Sequence, residues 1–141
     1  MEFDPENAVV KLCVQGMYHE GAGDLAGAHA LFEEAWHTAT DDFEAFIAAH
    51  YLARHQHDEV ETLTWNLRAL EHLARVTTPG KEKYYPSLHL NAGYSFEKLQ
   101  QHASSRDHYE RAEEFCSYLE AGPYGDMIRS GVKAAVERVR P

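Results

Sequence analysis

Apolar side chains recur along this chain at intervals of three and four residues, the spacing that gathers them on one side of an α-helix. Leu25, Ala28, Phe32, Ala35 and Trp36 form one stripe, and Val60, Leu63, Leu67, Leu70 and Ala74 a second. Tyr109, Ala112, Phe115 and Leu119 form a third. Near the end, Ile128, Val132, Ala135, Val136 and Val139 oppose a polar side bearing Arg129, Lys133, Glu137 and Arg138. No alternating run suggests a strand. The punctuation agrees: Asp24 precedes the first stripe, Asp58 with Glu61 reads as a capping box before the second, and Ser104 with Asp107 reads as a similar start for the third. Pro86 falls where a first helical turn tolerates a missing N–H. The pattern predicts an all-α chain.

The stripes also repeat. Gly16 is followed by Gly23-Asp24, Ala28, Phe32 and Ala35, and Gly93 is followed at the same offsets by Gln100-Gln101, Ser105, Tyr109 and Ala112. Between them, His50 takes the place of the glycine and "HQHD" the place of the turn. The second helix of this middle copy is expected to keep step only with one extra residue, which would set Leu63, Leu67 and Leu70 at the packing positions. "GMYHEGAGDLAGAHALFEEA" and "GYSFEKLQQHASSRDHYERA" resemble the tetratricopeptide repeat, a unit of about 34 residues made of two antiparallel helices. The resemblance implies a superhelical stack of three hairpins, about 8–40, 42–76 and 83–121, in one domain spanning 1–141. An insertion lies around "TTPGKEK", and a helix at about 125–140 caps the apolar end that such a stack leaves open.

Length and composition fit that picture. A chain of 141 residues, 44% hydrophobic and 26% charged, can bury a core without disulfides or metal. Nothing approaches the roughly 18 consecutive apolar residues of a membrane helix. The opening "MEFDPENAVVKL" has acids where a secretory signal carries positive charge, so a cytoplasmic location is expected. Thirteen basic against 23 acidic residues give a formal charge of −10, which repels phosphate backbones and anionic lipid and argues against nucleic-acid or membrane partners. Cys13 and Cys116 fall among helical apolar positions and read as small buried hydrophobes.

Polar residues that packing does not explain mark the candidate surface. In "FIAAHYLARHQHD", Ile47, His50, Tyr51 and Arg54 share one helical face. Tyr84, Ser87, Asn91, Tyr94 and Lys98 form a companion stripe, opposed by Leu88, Ala92, Phe96 and Leu99. Under the resemblance these stripes, with Val10, Cys13, Val14 and Met17, would line a concave groove that takes a protein or peptide partner. His50, Tyr51, Arg54, Asn91, Tyr94 and Lys98 are the expected contacts: Arg54 and Lys98 for negative charge, Tyr51 and Tyr94 for apolar contact with a hydroxyl, His50 and Asn91 for polar registration. The carboxylate clamp of chaperone-binding members is not reproduced, since only Asn91 stands at a comparable position.

Alternatives stay open at this level. Arg54 and His50 could be satisfied within the chain by Glu20 or Glu97. A helical-repeat enzyme or small-anion binder could use His50 as general base beside Tyr51, with Arg54 holding the anion. A homodimer could form through Trp65, Tyr84 and Tyr85. His50, His55 and His57 cluster and His102 and His108 straddle a helix start, but with neither HExxH nor CxxC, no metal or other cofactor is expected. Nor is there a nucleophile elbow, phosphate loop or dinucleotide fingerprint.

Overall fold

The computed structural model describes residues 2–141, and among these it contains seven α-helices and no strand. They are α1 (Ala8–Gly21), α2 (Leu25–Thr38), α3 (Asp42–Leu52), α4 (Glu59–Arg75), α5 (Tyr85–Lys98), α6 (His102–Phe115) and α7 (Pro123–Val139). Short 3-10 turns occupy Ala53–His55, Lys81–Tyr84 and Cys116–Tyr118. The chain forms two compact units, Met1–Thr78 and Pro79–Pro141, with the division inside "TTPGKEK".

In the first unit, every helix starts on a side chain that accepts from otherwise orphaned backbone N–H groups. Asn7 accepts from Val9 and Val10, Asp24 from Gly27, Asp41 from Glu44 and Asp58 from Glu61. The α1–α2 turn closes through Gly23 at φ +82°, a left-handed conformation that glycine adopts without strain. Gly16 then lets α2 approach: a Cβ there would overlap the ring of the fully buried Phe32. α3 packs against both helices of this hairpin, burying Ala45, Phe46, Ile47, Ala48, Ala49 and Leu52. Trp36 of α2 makes edge contacts with Trp65 at 5.0 Å and His72 at 5.6 Å, both on α4.

The middle hairpin corrects the expected extra residue. α4 begins nine residues after His50, just as α2 begins nine after Gly16 and α6 nine after Gly93. Its buried positions are Asn66, Ala69 and Leu73, whereas Leu67 is exposed and Leu63 and Leu70 are half-buried. Asn66 and Ala69 stand at the offsets held by Phe32 and Ala35 and by Tyr109 and Ala112. The departure from the outer copies is thus an exchange of bulk at equivalent positions. Where glycine faces an aromatic ring in the outer hairpins, the middle one has histidine on its first helix and asparagine on its second.

In the second unit, Tyr109 lies over Gly93, where a Cβ would meet the ring, and the Ser105 hydroxyl donates to the Gly93 carbonyl at 2.9 Å. α6 starts earlier than the sequence pattern suggests. Gln100 at φ +60° ends the preceding turn, Gln101 is the cap residue, and Ser104 sits inside the first helical turn. Ser104 with Asp107 is therefore not the cap. α7 covers the hairpin as an amphipathic helix, with Ile128, Val132, Ala135 and Val136 buried against Tyr109 and Ala112. Burying each of the isoleucine and valine side chains contributes about 1.5–3 kcal/mol.

Candidate ligand-binding surface

At the end of α3, an aromatic and charged column forms from residues of three helices. Tyr51 stacks on Phe32 with ring centroids 5.2 Å apart, and the Arg54 guanidinium lies 5.7 Å from the Tyr51 centroid. Arg54 Nε is 3.1 Å from Glu20 Oε2 at the end of α1, and His55 Nε2 meets the same oxygen at 2.5 Å. Of the two carboxylates considered for Arg54, Glu20 is the one that pairs with it. Glu97 instead accepts from Tyr109 and Arg138. The Arg54 side chain nevertheless remains 48% exposed. Its nearest approach to Glu20 is made at Nε.

His50 and Ile47 behave differently from Arg54. Ile47 is 1% exposed and belongs to the core, so it lines no open surface. His50 is half-buried, with its ring against Tyr51 at 5.1 Å. Its Nδ1 is sealed from solvent without a hydrogen-bond partner. Burial, with a smaller contribution from the Arg54 charge, pushes the imidazole pKa down to about 4, so the ring is neutral near pH 7.

On α5 of the second unit, packing consumes Pro86, Leu88, His89, Ala92, Gly93 and Ser95. Asn91 is half-buried, while Tyr94 and Lys98, one turn apart, are exposed. Lys98 Nζ lies 4.6 Å from the Tyr94 ring centroid, within cation–π range. Ser87 donates to the Tyr84 carbonyl at 3.3 Å. The aromatic residues considered for a homodimer are half-buried: Trp65 is engaged by Trp36 and overlain by Arg68, and Tyr85 packs on Phe115 at 4.7 Å.

Among the described residues, no group of three or more His, Cys, Asp and Glu side chains is placed to hold a metal ion. Burial pushes the Cys13 thiol up to about 12 and raises that of Cys116, which donates to the Ala112 carbonyl; protonated thiols are poor nucleophiles. Between α6 and α7 lies an open cleft of about 320 Å³. Arg129, Lys133 and Arg140 alternate there with Glu113 and Glu137 over Val132 and Val136, so its walls favour neither sign of charge strongly.

Two arrangements escape the sequence pattern. The first is that His55, and not His50, shares Glu20 with Arg54. The second is a pairing of His89 with His108, whose Nδ1 atoms lie 3.0 Å apart. His108 sits at mid-helix on α6 and not beside a helix start.

No protein-family model, curated protein or solved structure matches the chain. Among the described residues, no helix is long and apolar enough to cross a membrane.

Proposed function

We propose that this chain is a cytoplasmic, tetratricopeptide-like interaction module that binds a protein or peptide segment at Arg54, in the turn after α3 of the first unit, and separately at the exposed face of α5 in the second. The observation that carries this reading is the state of Arg54. Glu20 and the Tyr51 ring, itself stacked on Phe32, both contact the side chain, yet it stays 48% exposed. A guanidinium ordered in advance loses less conformational entropy when a carboxylate arrives. Tyr94 and Lys98 add an exposed aromatic face beside a cation, the chemistry enriched at recognition surfaces. The favoured partner is a segment carrying a carboxylate, either an acidic side chain or a chain terminus.

The test is affinity capture with the wild type and an Arg54→Ala/Tyr94→Ala double variant of matched thermal stability, followed by titration of the recovered segment. A partner held by the wild type and weakened at least tenfold by the variant supports the reading. Equal capture by both proteins contradicts it.

A second reading rests on the partnerless, neutral His50 beside Tyr51 and Arg54: a small anionic ligand, or a reaction in which His50 serves as base. It predicts a turnover that collapses in His50→Ala, whereas the module predicts only a stoichiometric complex.

A further inference from the structure

The two imidazoles that meet across the α5–α6 hairpin impose a proton count on it. His89 Nδ1 and His108 Nδ1 are 3.0 Å apart, and the ring centroids 5.2 Å apart at 36°, so nitrogen faces nitrogen. A hydrogen bond between identical groups requires one N–H and one bare lone pair. In the neutral pair, one ring therefore carries its proton on Nδ1 and the other on Nε2. One added proton leaves an imidazolium donating to a neutral ring, a charge-assisted bond that holds at least as well. A second added proton puts two N–H groups and two positive charges face to face, and the contact cannot persist.

The surroundings make that second proton costly to accommodate in place. His89 is 6% exposed. Tyr85 stacks on it at 5.6 Å and Phe115 at 6.3 Å, and Phe96 stacks on His108 at 5.3 Å. The charged and titratable neighbours come from each adjoining segment of the unit. Asp107 and Arg111 on α6 act with opposite sign on both rings. Lys81, in the turn before α5, sits 6.0 Å over the Tyr85 ring, and Tyr118 follows Phe115 at 6.0 Å in the turn after α6. α7 meets α5 through Gly131 against Leu90.

We propose that the His89–His108 contact is an acid-released fastener of the α5–α6 hairpin, closed while the pair holds at most one added proton and opened when both rings are charged. Both imidazoles have pKa values displaced downward, His89 to about 4, with burial the largest cause for each. A folded-state value below the unfolded one means that the unfolded chain binds more protons under acid. The hairpin is then fully fastened above about pH 6.5 and loses stability as pH falls toward 4. The pair titrates as a unit, in two macroscopic steps. This device stands on the second unit alone and does not depend on what the α5 surface binds.

The experiment is long-range ¹⁵N–¹H NMR of the imidazoles in the full chain from pH 7.5 to 4.5, with amide exchange of α5 and α6 followed over the same range. The expected result is one ring with protonated Nδ1 and one with bare Nδ1 at pH 7.5. Coupled titrations displaced well below 6.5 should follow, with α5–α6 protection, corrected for intrinsic exchange, falling by at least about tenfold at the acid end. A His108→Phe variant keeps the aromatic enclosure, and its protection should change less across that range than that of the wild type. Two rings both bare at Nδ1 at pH 7.5, independent titrations near 6.5, or protection unchanged by acid would each overturn the proposal. If His108→Phe does not fold, the wild-type tautomers and titrations decide alone.

Discussion

Arg138 grips Glu97 with two parallel hydrogen bonds, Nε to Oε2 at 2.8 Å and Nη2 to Oε1 at 2.9 Å, and the Tyr109 hydroxyl donates to that same Oε1 at 2.6 Å. One carboxylate therefore ties α5, α6 and α7 together. The Arg138 hydrogen bonds, followed by that of Tyr109, outweigh burial and hold Glu97 below the usual carboxylate range. Glu97→Ala removes a charged acceptor and leaves the Tyr109 hydroxyl without its partner, a loss of about 2–3 kcal/mol. Urea denaturation of the wild type, Glu97→Ala, Arg138→Ala and the double variant should show non-additive losses. Because the folded pKa is depressed, this contribution is present above about pH 4.5 and fades as pH falls through the folded value.

Gly16→Ala and Gly93→Ala should each lower stability by up to about 2 kcal/mol. The added Cβ collides with Phe32 or Tyr109, and the overpacking cost of about 1–3 kcal/mol exceeds the roughly 1 kcal/mol that alanine gains in a helix. Gly21→Ala is the control. It meets nothing within 4 Å and should be neutral or stabilising in the same thermal melts.

Gly16 and Gly93 also mark what was legible in the sequence. A glycine followed at fixed offsets by a small residue marks a close helix approach, and Ser105 does meet the Gly93 carbonyl, but the spacing did not show that each glycine lies directly against the ring of Phe32 or Tyr109. Helix boundaries marked by Asp24 and Asp58 were readable because a cap acts on the next three residues. The middle hairpin was misread because leucine at 63, 67 and 70 outscores Asn66 on hydrophobicity, although only the bulk balance between facing positions decides which residue fits. Ser104 misled because its type suits a cap, while the backbone turns earlier, at Gln100. Contacts such as Glu20 with His55, or His89 with His108, join residues 35 and 19 positions apart, and no local pattern encodes which side chain they meet.

The corrected start of α6 separates two similar-looking substitutions. Asp58→Ala removes the acceptor for the Glu61 N–H, held at 2.8 Å, and should cost about 1 kcal/mol. Ser104→Ala, within the first turn of α6, should change stability by less than about 0.5 kcal/mol. Paired chemical denaturations at pH 7 measure both.

His50 gives the first unit its own acid sensitivity. Its folded pKa of about 4 lies below the ordinary 6.5, so its contribution is complete above about pH 6.5 and is lost as pH falls toward 4. His50→Leu removes both the titration and the partnerless Nδ1. Relative to the wild type, its stability should improve on going from pH 7.5 to 5 by on the order of 1–2 kcal/mol. A parallel pH dependence for the two proteins would show that His50 titrates normally.

The proposed interaction surface is tested most directly by hydrogen exchange with mass spectrometry on the chain alone and saturated with its captured partner. The binding account predicts added protection in the segments 46–55 and 87–98, abolished together with binding in Arg54→Ala/Tyr94→Ala. Protection confined to other helices, or a complex that forms with no change at these two segments, would contradict it.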